Sequence, residues 1–128
     1  MKLGWRPQKW LEKKSKVGFR GYPVGTVAFY GPDSLRASKV AVSVITAPDA
    51  PPFALQRWFS ESGDVRSESA TLEQVAIFLR SHDVRSVALT SEIIGCPHEE
   101  GIDYPQGEVC PLCPYWANRE RPLPWGDN

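Results

Sequence analysis

The chain has 128 residues, enough for one modest hydrophobic core and short for two. Hydrophobic residues at 41% and charged residues at 23% sit near the globular norm, which argues against both a disordered chain and a membrane protein. The formal net charge is +0, yet residues 1–20 hold seven lysines and arginines against the single acid Glu12, a net of +6, so the remainder sums to −6.

That asymmetry divides the chain into a basic, aromatic arm over residues 1–21, a body over 22–116 and a tail over 117–128. "MKLGWRPQKW" lacks the apolar stretch of a signal peptide, and no run is long enough to cross a bilayer, which predicts a cytoplasmic protein. Within the arm, "WRPQKWLEKKSK" predicts a short helix after Pro7, ended by Gly18, Gly21 and Pro23. Trp5, Trp10, Phe19 and Tyr22 interleave flat rings with the cations Arg6, Lys9, Lys13, Lys14, Lys16 and Arg20. This composition suits contact with nucleic acid through stacking and phosphate pairing, or docking onto another protein or onto the acidic body. The plain alternative is a solvated terminal arm whose tryptophans pack on the body.

From Gly25 the pattern changes. "GTVAFYG" is rich in β-branched and aromatic residues and is followed by the turn sequence "GPDS". "KVAVSVIT" alternates Val40, Val42 and Val44 with other residues, the period of a strand, and the two segments are expected to pair antiparallel. The proline-rich break "APDAPP" leads to a third strand in "FALQRWFS". After the polar "ESGDVRSES", the segment "TLEQVAIFLRSH" places Leu72, Val75, Ala76 and Leu79 at helical spacing, with Ser69 or Thr71 as expected N-cap and His82 near the C-terminus. "VRSVALTSEII" then supplies a buried strand.

The fold class is therefore α+β: a small, mostly antiparallel sheet with one main helix, in the order strand, strand, strand, helix, strand, closed by a C-terminal loop. This order resembles the first half of the ribonuclease H-like fold, where the fourth strand runs parallel to the first. Such enzymes hold metal ions on acids of those two strands, whereas "TVAFY" has none and only Asp33 and Glu92 lie beyond the strand ends.

The segment "GCPHEEGIDYPQGEVCPLCPYW", residues 95–116, contains all three cysteines and one of the two histidines. Cys96, His98, Cys110 and Cys113 form a Cys₃His set of the kind that closes a tetrahedral zinc shell, and the two-residue gap in "CPLC" lets one turn direct both sulfurs at one ion. Zn²⁺ is the expected cofactor, with iron as a lesser alternative at such thiolates. The segment is poor in aliphatic residues and full of glycine, proline and acids, so a metal would supply the cross-link that its own side chains cannot. The competing view treats the thiols as ordinary small buried side chains.

"IIGCPHEEGIDYPQGEVCPLCPYW" resembles the signature of a group of small bacterial proteins of uncharacterised activity. The resemblance implies a bacterial protein in which body and metal loop form a single unit. It carries no reaction with it. The expected role is a binding or adaptor module with structural zinc.

An enzymatic alternative is a zinc hydrolase, since "HEE" before "CPLC" partly follows the His-x-Glu and Pro-Cys-x-x-Cys pattern of deaminases, with Glu99 or Glu100 as proton carrier. Opposed to it are the short gap to Cys110, Val109 in place of the proline, and Cys96 as a fourth ligand that would fill the position water needs.

Overall fold

The computed structural model describes residues 6–117. It contains α1 (Pro7–Lys16), β1 (Val24–Tyr30), β2 (Lys39–Ile45), β3 (Ala54–Phe59), α2 (Ser69–Ser81) and β4 (Ser86–Ile93), with short 3₁₀ turns at Val65–Ser67 and Pro114–Trp116. The strands form one sheet in the order β3-β2-β1-β4. β1 pairs antiparallel with β2 and β2 with β3, while β4 lies parallel to β1. The fold is thus α+β, and the order of elements is the expected one.

Side-chain alternation assigns the two faces of the sheet. Gly25, Val27 and Phe29 lie opposite Val44, Val42 and Val40, and these residues face the helices. Val75, Ala76 and Leu79 of α2 cover them as one apolar stripe. Gly25 is required here: a Cβ at this position would stand 2.5 Å from Leu79 Cδ2, so the missing side chain lets α2 approach the sheet.

The N-terminus of α2 differs from expectation. Ser69 is the first helical residue, and neither Ser69 nor Thr71 caps the helix; Glu68 occupies the N-cap, its carboxylate taking a hydrogen bond from Ser60 Oγ at 2.7 Å. At the other end His82 is the C-cap, with Nδ1 2.8 Å from the Phe78 carbonyl and its ring stacked at an angle on Phe78. It is a helix-terminal residue, as its position in the sequence suggests.

Helix α1 forms where Pro7 pre-sets the first turn, and Gly18, at φ +81, turns the chain away after it. It packs on α2 and β4 through Leu11, only 4% exposed, with Trp10 half-buried beside it. Over residues 7–16 the arm is therefore joined to the body rather than trailing from it. Among the described residues no helix is long and apolar enough to cross a membrane.

Candidate metal centre

Three connections bring the cysteine segment to one end of the sheet. First, β4 prolongs its pairing with β1 past a register irregularity, so that Ile94 N–H donates to Phe29 O at 2.9 Å and Gly31 N–H to Gly95 O at 2.8 Å. This fixes the chain immediately before Cys96. Second, the buried Trp116 donates its indole N–H to Gly31 O at 2.8 Å, which fixes the chain just after Cys113. Third, Lys39 at the start of β2 reaches into the segment from the side. Its ammonium donates to Pro97 O at 2.9 Å and to Glu99 Oε2 at 2.8 Å, and lies over the rings of Tyr30 and Phe59.

Between these anchors the four sequence-predicted ligands converge. The donor atoms of Cys96, His98, Cys110 and Cys113 lie within 4.8 Å of one another, with all three thiols buried and His98 half-buried. His98 Nδ1 stands 3.3 Å from Cys96 Sγ and 3.5 Å from both Cys110 Sγ and Cys113 Sγ. One ring nitrogen has a single lone pair or a single hydrogen, so it cannot hydrogen-bond three sulfurs at once. Three nearly equal distances instead describe one vertex of a tetrahedron over the other three. For zinc–sulfur and zinc–nitrogen bonds of about 2.3 and 2.0–2.1 Å, the tetrahedral edge from nitrogen to sulfur is about 3.5 Å. The residues fit a tetrahedral thiophilic ion.

The electrostatics agree. Burial pushes the Cys113 thiol well above its ordinary range, with the neighbouring Cys96 adding to the effect, and burial likewise raises Cys96. Thiolates crowded together out of water require a compensating cation, and a bound divalent ion supplies one. Locally, the Cys96 sulfur also accepts the His98 backbone N–H at 3.3 Å, which places the two residues on the same side of the intervening Pro97.

The acids around the centre have other partners. Glu99 is held by Lys39 and by the Arg57 guanidinium, which reaches both carboxylate oxygens. Hydrogen bonding from Lys39, with a smaller contribution from Arg57, holds the Glu99 carboxyl below the usual range despite partial burial. Glu100 Oε2 accepts the Gly107 N–H at 2.6 Å and closes the loop between the two ligand pairs. Asp103 Oδ2 accepts the Glu99 N–H at 2.7 Å. Asp33 accepts the Leu35 N–H within its own turn, and Glu92 lies on β4, so neither adds a carboxylate to the centre. A cleft of about 450 Å³ opens beside the centre, with Lys39, Phe59, His98, Glu99 and Leu112 among its walls.

The basic residues of the arm fall into separate groups. Trp5 lies outside the described residues, as do Trp125 and most of the tail. Arg6, Lys9, Lys13 and Lys16 are exposed, and their spacing sets them along the side of α1 opposite Leu11. Lys14 turns inward, its ammonium 3.4 Å from Arg85 O and 6.0 Å from the Trp10 ring centroid. Trp10 packs against the core, and Arg20 is exposed. Sequence reasoning missed Lys39, Trp116 as an anchor of the ligand loop, and Arg85, which joins the arm from β4 side of the chain.

Comparison with protein-family models, with curated proteins and with solved structures finds no match to this chain.

Proposed function

We propose that the chain is a small cytoplasmic binding module of bacterial origin whose C-terminal loop is folded around a structural zinc ion. One observation carries this reading: a single imidazole nitrogen equidistant, within 0.2 Å, from three buried sulfurs. Four protein ligands complete a tetrahedral shell and leave no position for a reacting water, the usual distinction between structural and catalytic zinc. Zinc is favoured over iron because mixed thiolate–imidazole tetrahedra suit a redox-silent d¹⁰ ion. When bound, the ion supplies the cross-link between residues 96–98 and 110–113; Lys39, Gly31 and Trp116 then join that cross-linked loop to the sheet.

The experiment is metal analysis of protein purified under reducing conditions, followed by chelation. One zinc per chain and loss of protease resistance within residues 95–116 on chelation support the reading. A protein that binds no metal and keeps this segment protected contradicts it.

The cleft beside His98 and Glu99 favours an enzymatic reading as the second choice, a zinc hydrolase with Glu99 or Glu100 as base. Such a site needs an open coordination position and a free carboxylate. Cobalt substitution separates the two: a spectrum that changes on adding azide or cyanide would mark an exchangeable position and favour the hydrolase.

For a partner, the exposed cations of α1 point to nucleic acid. The tryptophan contribution to that contact does not include Trp10, whose ring is engaged with the core.

A further inference from the structure

The chain brings together, at the C-terminal end of α1, a group of residues that are far apart in sequence. Gly18 turns the backbone so that Phe19, 66% exposed, stands away from the body. Tyr22 meets its ring edge-on at 5.3 Å and limits how it can lie. The following residue is held in place, since Arg20 N–H donates to Ser86 Oγ at 2.6 Å and Ser86 in turn donates to Gly21 O at 2.8 Å. Arg85 lies against Gly21, close enough that a Cβ there would touch its side chain at 3.4 Å. Lys14 donates to the carbonyl of the same Arg85.

Between Phe19 and the edge strand β4 runs a cleft of about 300 Å³, room for a single base, walled by Ser15, Gly18, Phe19 and Ser86–Leu89. No acid lines it, and among the described residues neither Arg20 nor Arg85 forms an ion pair. Exposed ring, adjacent cleft and unpaired guanidinium groups are the parts of a stacking platform with a phosphate track beside it.

We propose that this cleft is a single-stranded nucleic-acid site, in which a base stacks on Phe19 while the flanking phosphates meet Arg20 and Arg85. It rests on the reading that α1 contacts nucleic acid and narrows the stacking contact, among the arm's rings, to Phe19. The outer row Arg6, Lys9 and Lys13 lies on the other side of α1 from the cleft and adds long-range attraction for the strand without base contact, while Lys16 beside it is paired with Glu12 at 3.8 Å. Single strands are favoured over duplex because a stacking ring needs an unpaired face. A membrane surface is the poorer fit, since Leu11 and Trp10 of α1 are committed to the core and the helix has no free apolar face to lay into lipid.

The test is fluorescence anisotropy of the full chain with dT₁₂, U₁₂, a duplex of the same length and heparin at rising salt, with vesicles containing phosphatidylglycerol as a further probe. The single strands are expected to bind more tightly than duplex or heparin, with affinity falling as salt rises. Phe19→Ala should weaken binding about tenfold and Phe19→Trp should preserve it. Arg85→Gln should weaken binding several-fold and reduce the salt slope by about one. Phe19 is exposed, so its loss leaves the fold intact. If Lys9→Gln and Lys13→Gln weaken binding while Phe19→Ala and Arg85→Gln do not, the cleft is overturned and the broader reading of α1 stands. Absence of oligonucleotide binding at low salt overturns both. Equal affinity for heparin, or preference for the vesicles, also overturns the cleft.

Discussion

The ammonium of Lys39 lies 2.8 Å from the Glu99 carboxylate although Lys39 is only 3% exposed. A lysine so far out of water is stable only with partners, and it has two oxygen acceptors and two aromatic faces. Both oxygens belong to the turn that carries Cys96 and His98, so one side chain of β2 orients two of the candidate metal ligands without itself joining their cluster.

Lys39→Met keeps the apolar stem of the side chain and removes its ammonium group. Pro97 O then loses a donor and Glu99 retains only Arg57. The expected cost is about 2 kcal/mol in urea denaturation of the metal-loaded protein, below the usual figure for a broken buried pair because Glu99 is partly exposed. Metal affinity, measured by competition with a chromophoric chelator, should fall about tenfold. An unchanged affinity would show that Lys39 holds the sheet and not the ligands.

Trp116→Phe retains most of the buried ring and removes the N–H that satisfies Gly31 O. We expect about 1–3 kcal/mol of destabilisation. Hydrogen exchange should show the loss concentrated in the segment around residues 95–116 rather than in α2.

Much of the fold is legible in the sequence, and the reason is local. The alternation of Val40, Val42 and Val44 and the helical spacing of Leu72, Val75, Ala76 and Leu79 each report one element's buried side. The four candidate ligands are legible because thiols and an imidazole at short spacing suit a metal ion. What joins these parts is not local. Lys39 opens a strand where a lysine reads as solvent-facing, and its partner is 60 residues away. The Trp116–Gly31 bond spans 85 residues. Arg85 has no connection to the arm until Gly21 and Ser86 bring the chain together. The N-cap of α2 is not legible in the sequence for a similar reason: Glu68 is fixed by Ser60, a contact made outside the helix.

Gly25 and Leu79 should be strongly coupled. Gly25→Ala forces a methyl against Leu79 and is expected to cost about 1–3 kcal/mol, while Leu79→Ala leaves a cavity costing about 2–5 kcal/mol. The added methyl partly occupies the cavity, so the double variant should be less destabilised than the sum of the two. Additive costs in a denaturation cycle would place the helix farther from the sheet than described.

Asp64 begins the 3₁₀ turn before α2, where its carboxylate takes hydrogen bonds from the side chain and backbone of Arg66. Chiefly through the Arg66 side chain, its pKa is lowered from 3.8 to about 2. A folded value below the unfolded one stabilises the protein above about pH 4 and is lost as pH falls through 2. Asp64→Asn should therefore cost about 1 kcal/mol at pH 7, allowing for solvent screening, with roughly half the difference gone by pH 3. Urea midpoints of both proteins across this range provide the check. A difference that is constant with pH would mean that the carboxylate charge contributes nothing.

X-ray absorption at the metal edge of the purified, reduced protein tests the central claim most directly. The account predicts zinc with three sulfurs at about 2.3 Å, one imidazole nitrogen at about 2.0–2.1 Å and no oxygen neighbour. A shell containing water or fewer than three sulfurs, or a folded protein that retains no metal at all, would contradict it.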